Sequence, residues 1–336
     1  MEFFDRPLRS TTLLDELAVE YPSERCSLSD PLLMVQVTEF ACSGFVIGLT
    51  RNHVVSDAAG LAQFMQAVGE LARGFPAPTV VPVVSTISCT IRACVYDESL
   101  PTIPPVGATG RTFTASRDAP DFVFLDVTIP SSLIDHIKAK FSKMYSSCKP
   151  CTVFEVVAAV LWRCRTRATM SADDPEATTM LFFTANARKL VGAKHGYYGN
   201  CVNDLSVTAT SGVVANGELM DIVKMIKQAK EQMVVKLSSE DKDGGGGERP
   251  QAGQDKKLRN MYNNLGLSCV RNLGLDEADF GSGKPARVMN RVPRMGLPIC
   301  AACLPWEGND GANVFSRCVK EEHAGAFLPE LARFTA

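Results

Sequence analysis

Two periods of apolar and polar residues alternate along this chain. Residues 32–40 and 45–50 are short apolar runs on either side of Ala41-Cys42-Ser43-Gly44, and they predict two adjacent strands. The second run ends at polar Arg51 and Asn52. The period then lengthens: Leu61, Phe64, Met65, Val68, Leu71 and Ala72 form an apolar stripe at helical spacing that stops at Gly74, which predicts a helix over residues 57–73. Residues 122–129 read as a strand, and residues 131–144 as a helix capped by Ser131 or Ser132. Thr152-Val153-Phe154-Glu155 has the capping-box pattern. The helix it opens carries Val156, Val157, Ala159, Val160, Leu161 and Trp162 toward a core. It closes on Arg163, Arg165 and Arg167, cations suited to a helix C-terminus. Residues 180–186 and 297–304 read as buried strands, and residues 219–235 as an amphipathic helix.

Punctuation divides these elements into two groups. Residues 97–120 hold Pro101, Pro104, Pro105, Gly107, Gly110 and Pro120 with few large apolar groups, and are expected to link a first unit (1–96) to a second (121–336). Residues 238–257, with four consecutive glycines at 244–247, have too little apolar surface to order themselves and are expected to form a flexible surface loop. Strands and helices mixed in this way predict an α/β protein with mixed sheets.

Composition narrows the partners. The net charge of −2 gives no electrostatic reason to expect nucleic acid or an anionic membrane. No apolar run approaches the roughly 20 residues that span a bilayer. The first residues, Met1-Glu2-Phe3-Phe4-Asp5-Arg6-Pro7, lack signal and transit patterns, so a cytoplasmic location is expected. Among the 12 cysteines, Cys42, Cys89, Cys94, Cys164 and Cys201 lie in apolar runs and are expected to be buried, reduced thiols. Two Cys-x-x-Cys pairs, Cys148/Cys151 and Cys300/Cys303, would have to converge on one point to hold zinc. A strand at 297–304 turns residues three apart to opposite faces, so no metal is expected.

Two short strings carry the candidate chemistry. His53-Val54-Val55-Ser56-Asp57 places a histidine where a strand ends and a helix begins, a good position for a general base. The residues alone leave open that Asp57 merely caps the helix and His53 is a surface residue. Asp279-Phe280-Gly281-Ser282-Gly283-Lys284-Pro285 forces a sharp bend, which by itself is equally a plain turn. His136 and His323 sit on helix-like segments among charged residues and are expected to be solvated.

In order and spacing, these strings resemble the BAHD family of plant acyl-CoA-dependent acyltransferases, marked by His-x-x-x-Asp and Asp-Phe-Gly-Trp-Gly. Further matches are Asn52 through Gly60, Thr152 through Ala159, Asn186-Ala187-Arg188 and Tyr198-Gly199-Asn200-Cys201, similar to the branch of benzyl alcohol benzoyltransferases and taxane acyltransferases. The resemblance implies a chloramphenicol acetyltransferase-like two-domain fold with its first domain incomplete, because His53 stands about a hundred residues earlier than the family pattern places it. Apolar surface and strand edges would then be uncovered.

The resemblance also implies the roles. His53 would take a proton from an alcohol or amine acceptor, with acyl-CoA as co-substrate and no bound cofactor. Asp57 would pair with Arg188 and, with Asp279, Gly281 and Gly283, support the site. Ser282, Thr152, His195 and Tyr198 would lie along the substrate channel. Ser282 replaces the motif's tryptophan, and Val270 stands where the branch often has another. The partners implied are acyl-CoA and a small acceptor, acting on a monomer. A weakly active or inactive relative on the same scaffold is the alternative.

Overall fold

The structure is a computed structural model describing residues 12–21, 30–84, 122–240, 261–292 and 297–335. The expected linker at 97–120, Cys89, Cys94 and the glycine-rich segment lie outside the described residues.

The first group of elements is α1 (Thr12–Leu17), β1 (Leu33–Glu39), β2 (Phe45–Arg51) and α2 (Ala58–Ala72). β1 and β2 form an antiparallel hairpin from Leu33↔Arg51 to Glu39↔Phe45. α1 lies on one face of it, where Gln36 Nε2 donates to the Glu16 carbonyl at 2.7 Å. The other face turns toward α2 across an open apolar cavity of about 470 Å³ whose lining includes Val35, Val37, Phe45, Phe64 and Phe280.

The second group is β3 (Leu125–Ile129), α3 (Ser131–Met144), α4 (Val153–Thr169), β4 (Thr178–Asn186), β5 (Val202–Thr210), α5 (Ser211–Asn216), α6 (Leu219–Glu240), β6 (Asn264–Cys269), β7 (Ile299–Cys303), β8 (Ala312–Arg317) and α7 (Glu321–Thr335). Its strands make a six-stranded sheet in the order β3-β8-β7-β6-β4-β5. β4, β6 and β7 run parallel, and the other pairs are antiparallel.

α4 is the centre of the core. Every residue from Glu155 to Thr166 is buried, because sheet and helices enclose it on all sides. The opposite face of the sheet carries a second cluster in which Leu14 of α1 and Ala58 of α2 pack near Val270, Val292, Ala301, Cys303 and Phe315. The hairpin–helix unit is thus seated on the large sheet, and the chain between β2 and α2 lies at the seam.

Several sequence expectations change. The apolar stripe of α2 is only in part its buried face: Met65 is buried, but Phe64, Val68 and Leu71 are exposed, and the other buried positions are Gly60, Ala62 and Gly69. Close backbone neighbours leave no room for a Cβ at Gly60 or Gly69. Neither serine caps α3. Pro130 is the N-cap, and the Ser131 N–H and hydroxyl are taken by Asp310. α6 continues to Glu240, so residues 238–240 are helix rather than loop.

The arginines ending α4 are not a solvated cationic tail. Arg163 and Arg165 are buried and bond carbonyls of other elements. Cys42 is exposed on the hairpin turn. His136 is exposed, but His323 is half-buried against Tyr262, its Nδ1 2.9 Å from the phenol oxygen.

Cys300 packs with Ala302 on the α4 side of β7, and Cys303 with Ala301 on the other, as the pleat requires. Burial pushes the Cys164 and Cys303 thiols up to about 12, which keeps them protonated. Among the described residues, no group of three or more His, Cys, Asp or Glu could hold a metal ion, and no helix is long and apolar enough to cross a membrane.

Candidate active site

β2 delivers the chain to Arg51, and a polar turn follows. Asn52 Oδ1 accepts from the Val54 N–H at 3.0 Å, and the Asn52 carbonyl accepts from the Val55 N–H at 3.2 Å. Short side chain-to-backbone bonds of this type turn the chain without regular structure. The turn carries His53 and ends at Asp57, the N-cap of α2. Arg51 reaches across it to the Ser56 carbonyl.

The facing wall is the end of the β4–β5 hairpin, where Asn186 pairs with Val202. The loop between them, residues 187–201, closes with the Ala187 N–H on the Cys201 carbonyl at 2.9 Å. It lies very close to α2: a Cβ on Gly60 would sit 1.8 Å from the Tyr198 carbonyl oxygen, so only glycine admits this approach.

Asp57 joins the two walls. Its Oδ1 accepts from Gly60 N–H at 3.0 Å and Arg188 Nη2 at 2.8 Å; its Oδ2 accepts from Arg188 Nη1 at 2.7 Å and Cys201 N–H at 2.9 Å. These four donors fill the carboxylate's acceptor capacity, and the arginine is bidentate. Burial alone would raise the Asp57 pKa, but the bonds from Arg188, Gly60 and Cys201 outweigh it and hold the carboxyl below its ordinary value. Arg188 also bonds the carbonyls of Gly199 at 2.7 Å and Tyr197 at 3.2 Å.

His53 itself is exposed to solvent. Desolvation by the surrounding protein, together with the charge of Arg51, still lowers its pKa. Hydrogen bonding to its own carbonyl, the Asp57 charge and hydrogen bonding to Asn200 act in the opposite direction. The net shift is downward and favours the neutral imidazole, the form able to accept a proton.

The Asp279 turn is anchored elsewhere. Asp279 Oδ1 accepts the N–H of Gly281 at 2.8 Å and of Gly283 at 2.9 Å, and Oδ2 meets Arg73 at 3.1 Å. Gly281 and Gly283 have φ of 105° and 92°, a region that L side chains rarely adopt. Arg73 is the C-cap of α2, so this turn grips the far end of the helix that Asp57 begins. At 1.5 Å per residue, those ends are roughly 20 Å apart.

Ser282 is exposed at the tip of this turn, and Val270 is buried in the second cluster, which also takes in Ala58 of α2. The Thr152 hydroxyl accepts the Glu155 N–H, and Glu155 returns a bond to the Thr152 N–H at 2.8 Å. His195 is exposed in the 187–201 loop, and Tyr198 is half-buried with its carbonyl against Gly60. Asn200 carries no role in the sequence reading. It bonds the His53 carbonyl at 2.8 Å, a contact between residues 147 apart that no local pattern announces.

Comparisons with known proteins give the family and the fold. The model of the Transferase family matches residues 6–322. Acyl transferase 15 of Oryza sativa subsp. japonica is 41% identical over 337 residues, covering 98% of this chain and 72% of the rice protein. A myricetin 3-O-glucosyl 1,2-rhamnoside 6'-O-caffeoyltransferase, AT2, of Crocosmia x crocosmiiflora is 34% identical, covering 90% of this chain and 68% of that protein. Among solved structures, Vinorine Synthase superposes with a TM-score of 0.67 at 16% identity, over 98% of this chain and 73% of that one. F. sporotrichioides TRI101, complexed with coenzyme A and T-2, gives 0.61 at 16% identity, over 91% and 69%.

The chain belongs to this Transferase family, the BAHD acyl-CoA-dependent acyltransferases. Its fold is of the chloramphenicol acetyltransferase-like α/β type that these structures share.

Proposed function

We propose that this chain transfers an acyl group from an acyl-CoA thioester to the hydroxyl, or amine, of a small plant metabolite, with His53 as general base. The observation that carries the reading is the seam itself. A neutral, solvent-reachable imidazole stands on a turn whose backbone and following carboxylate are both held from the opposite wall. A hydroxylated small molecule as acceptor is supported by the relative named for a myricetin glycoside, and by the structural neighbour complexed with coenzyme A and T-2.

His53 removes the acceptor proton as the acceptor oxygen attacks the thioester carbonyl. A new C–O bond gives a tetrahedral intermediate. Its collapse breaks the C–S bond, and the coenzyme A thiolate leaves. The imidazolium returns its proton to the thiolate, so ester and free thiol form while His53 is restored. One positioned base of suitable pKa typically supplies about 10²–10⁴-fold.

The test is thiol release from acetyl-, benzoyl- and coumaroyl-CoA against a panel of alcohols. His53→Ala should lower turnover by about 10²-fold or more with unchanged circular dichroism. Turnover that survives the substitution would remove His53 from the role. The openness of His53 to solvent is the feature favouring the weakly active alternative. No thiol release by well-folded wild-type protein across the panel would decide for it.

A further inference from the structure

We propose that Asn200 is the positioning residue of the base: its side-chain amide fixes the piece of main chain that carries the His53 imidazole. This rests on His53 acting as the base, and adds the group that aims it.

Apart from the Asn52 N–H on the Leu32 carbonyl at 2.9 Å, which continues the β1–β2 hairpin, the other ties on the 51–57 turn fall into two kinds. Asn52 to Val54, Asn52 to Val55 and Arg51 to Ser56 are local, and bend the chain without setting where it stands against the large sheet. Asp57 is held across the seam by Arg188 and the Cys201 N–H, but it lies four residues beyond the histidine. Asn200 supplies the missing hold. Its Nδ2 donates to the His53 carbonyl at 2.8 Å, with the Val54 carbonyl at 3.4 Å.

Asn200 and Cys201 are consecutive, so one end of the β4–β5 hairpin grips both ends of the His53–Asp57 stretch. The loop holding Asn200 is itself fixed by Arg188 on the Gly199 and Tyr197 carbonyls and by the tight approach of Gly60 to Tyr198. A base must be oriented by a third group to meet the acceptor proton, and misplacement by about 1 Å can cost roughly 100-fold in rate. The Asn200 amide also raises the ring's proton affinity, in the direction opposite to the desolvation that lowers it.

Two readouts test this, one of them independent of turnover. In imidazole proton NMR titrations, with the His53 signal identified by its loss in His53→Ala, the wild-type ring should titrate below 6.5. Asn200→Ala should move the midpoint lower. Asn200→Asp is nearly isosteric, cannot donate to the carbonyl and adds a negative charge beside the ring, so it should move the midpoint higher.

In the thiol-release assay, both variants should lose about 10–100-fold in kcat with KM for acyl-CoA changed less than about threefold. The acidic limb of the pH profile should follow the NMR midpoints. A folded Asn200→Ala and a folded Asn200→Asp with wild-type midpoints and kcat, alongside an inactive His53→Ala, would overturn the role of Asn200 and leave the base assignment standing. An active His53→Ala would overturn the base assignment and this role with it.

Discussion

Asp57 shows how much one carboxylate can organise. It caps a helix, receives a bidentate arginine and takes an N–H from a strand end 144 residues away. Replacing Arg188 with methionine would strand that carboxylate, buried and holding only its two backbone donors. Removing one partner of a buried pair typically costs about 3–5 kcal/mol. Urea denaturation at pH 7 should show a loss of that order for Arg188→Met, and a smaller one for Arg188→Lys, which keeps the charge but not the fork. Because the folded pKa of Asp57 is depressed, its stabilisation is complete above the ordinary value of 3.8 and is lost as pH falls through the folded value. The gap between wild type and Arg188→Met should therefore narrow in acid. A loss below about 1 kcal/mol at pH 7 would mean that the pair is not the buried unit described.

α2 is the element on which the seam turns. Its N-cap sits beside the base, and its last turn is held by the Asp279 turn. The helix was legible from its apolar period, but the buried side was not, because period reports amphipathicity and not what packs against each face. Apart from Met65, the face toward the protein is made of small residues, since backbone comes within contact distance there. A Cβ on Gly69 would stand 2.4 Å from the Asp279 carbonyl oxygen, whereas one on Gly325 in α7 would meet nothing within 4 Å. Gly69→Ala should thus cost about 1–3 kcal/mol by overpacking, while Gly325→Ala should be neutral or stabilising by up to about 1 kcal/mol through helix propensity. Thermal unfolding of the two variants separates the effects. Equal midpoints would show that the helix and turn are not in close contact.

Across the whole molecule, α4 is the pillar, and its buried arginines are the ties. Arg165 is fully buried. Its Nε donates to the Cys318 carbonyl at 2.8 Å, an Nη donates to the Tyr262 carbonyl, and the guanidinium lies 4.8 Å over the Tyr262 ring. Burial lowers its pKa, although the group remains charged. Arg165→Met would fill similar volume while orphaning two buried carbonyls, at about 1–3 kcal/mol each. A lower urea midpoint with an unchanged denaturant slope is the expected result. An unchanged midpoint would show that the guanidinium costs as much to bury as its bonds return.

The β1–β2 hairpin, α2, β3, α3, α4, β4, α6 and β7, the capping box at Thr152 and the two motif strings could be read from the residues, because each depends on neighbours within about one turn or one hairpin; α1, β5, α5, β6, β8 and α7 carried no pattern strong enough to be read. The sequence could also nominate Arg188 for Asp57, through resemblance to a family whose members share that pair. What only the tertiary structure decided is which residues meet across the seam. Asn200 reaching His53, the mostly small-residue face of α2, and Ser282 lying at the far end of that helix all depend on chain segments 138 to 210 positions apart. Their approach is set by how the hairpin unit packs on the large sheet, and local periodicity carries no record of that packing.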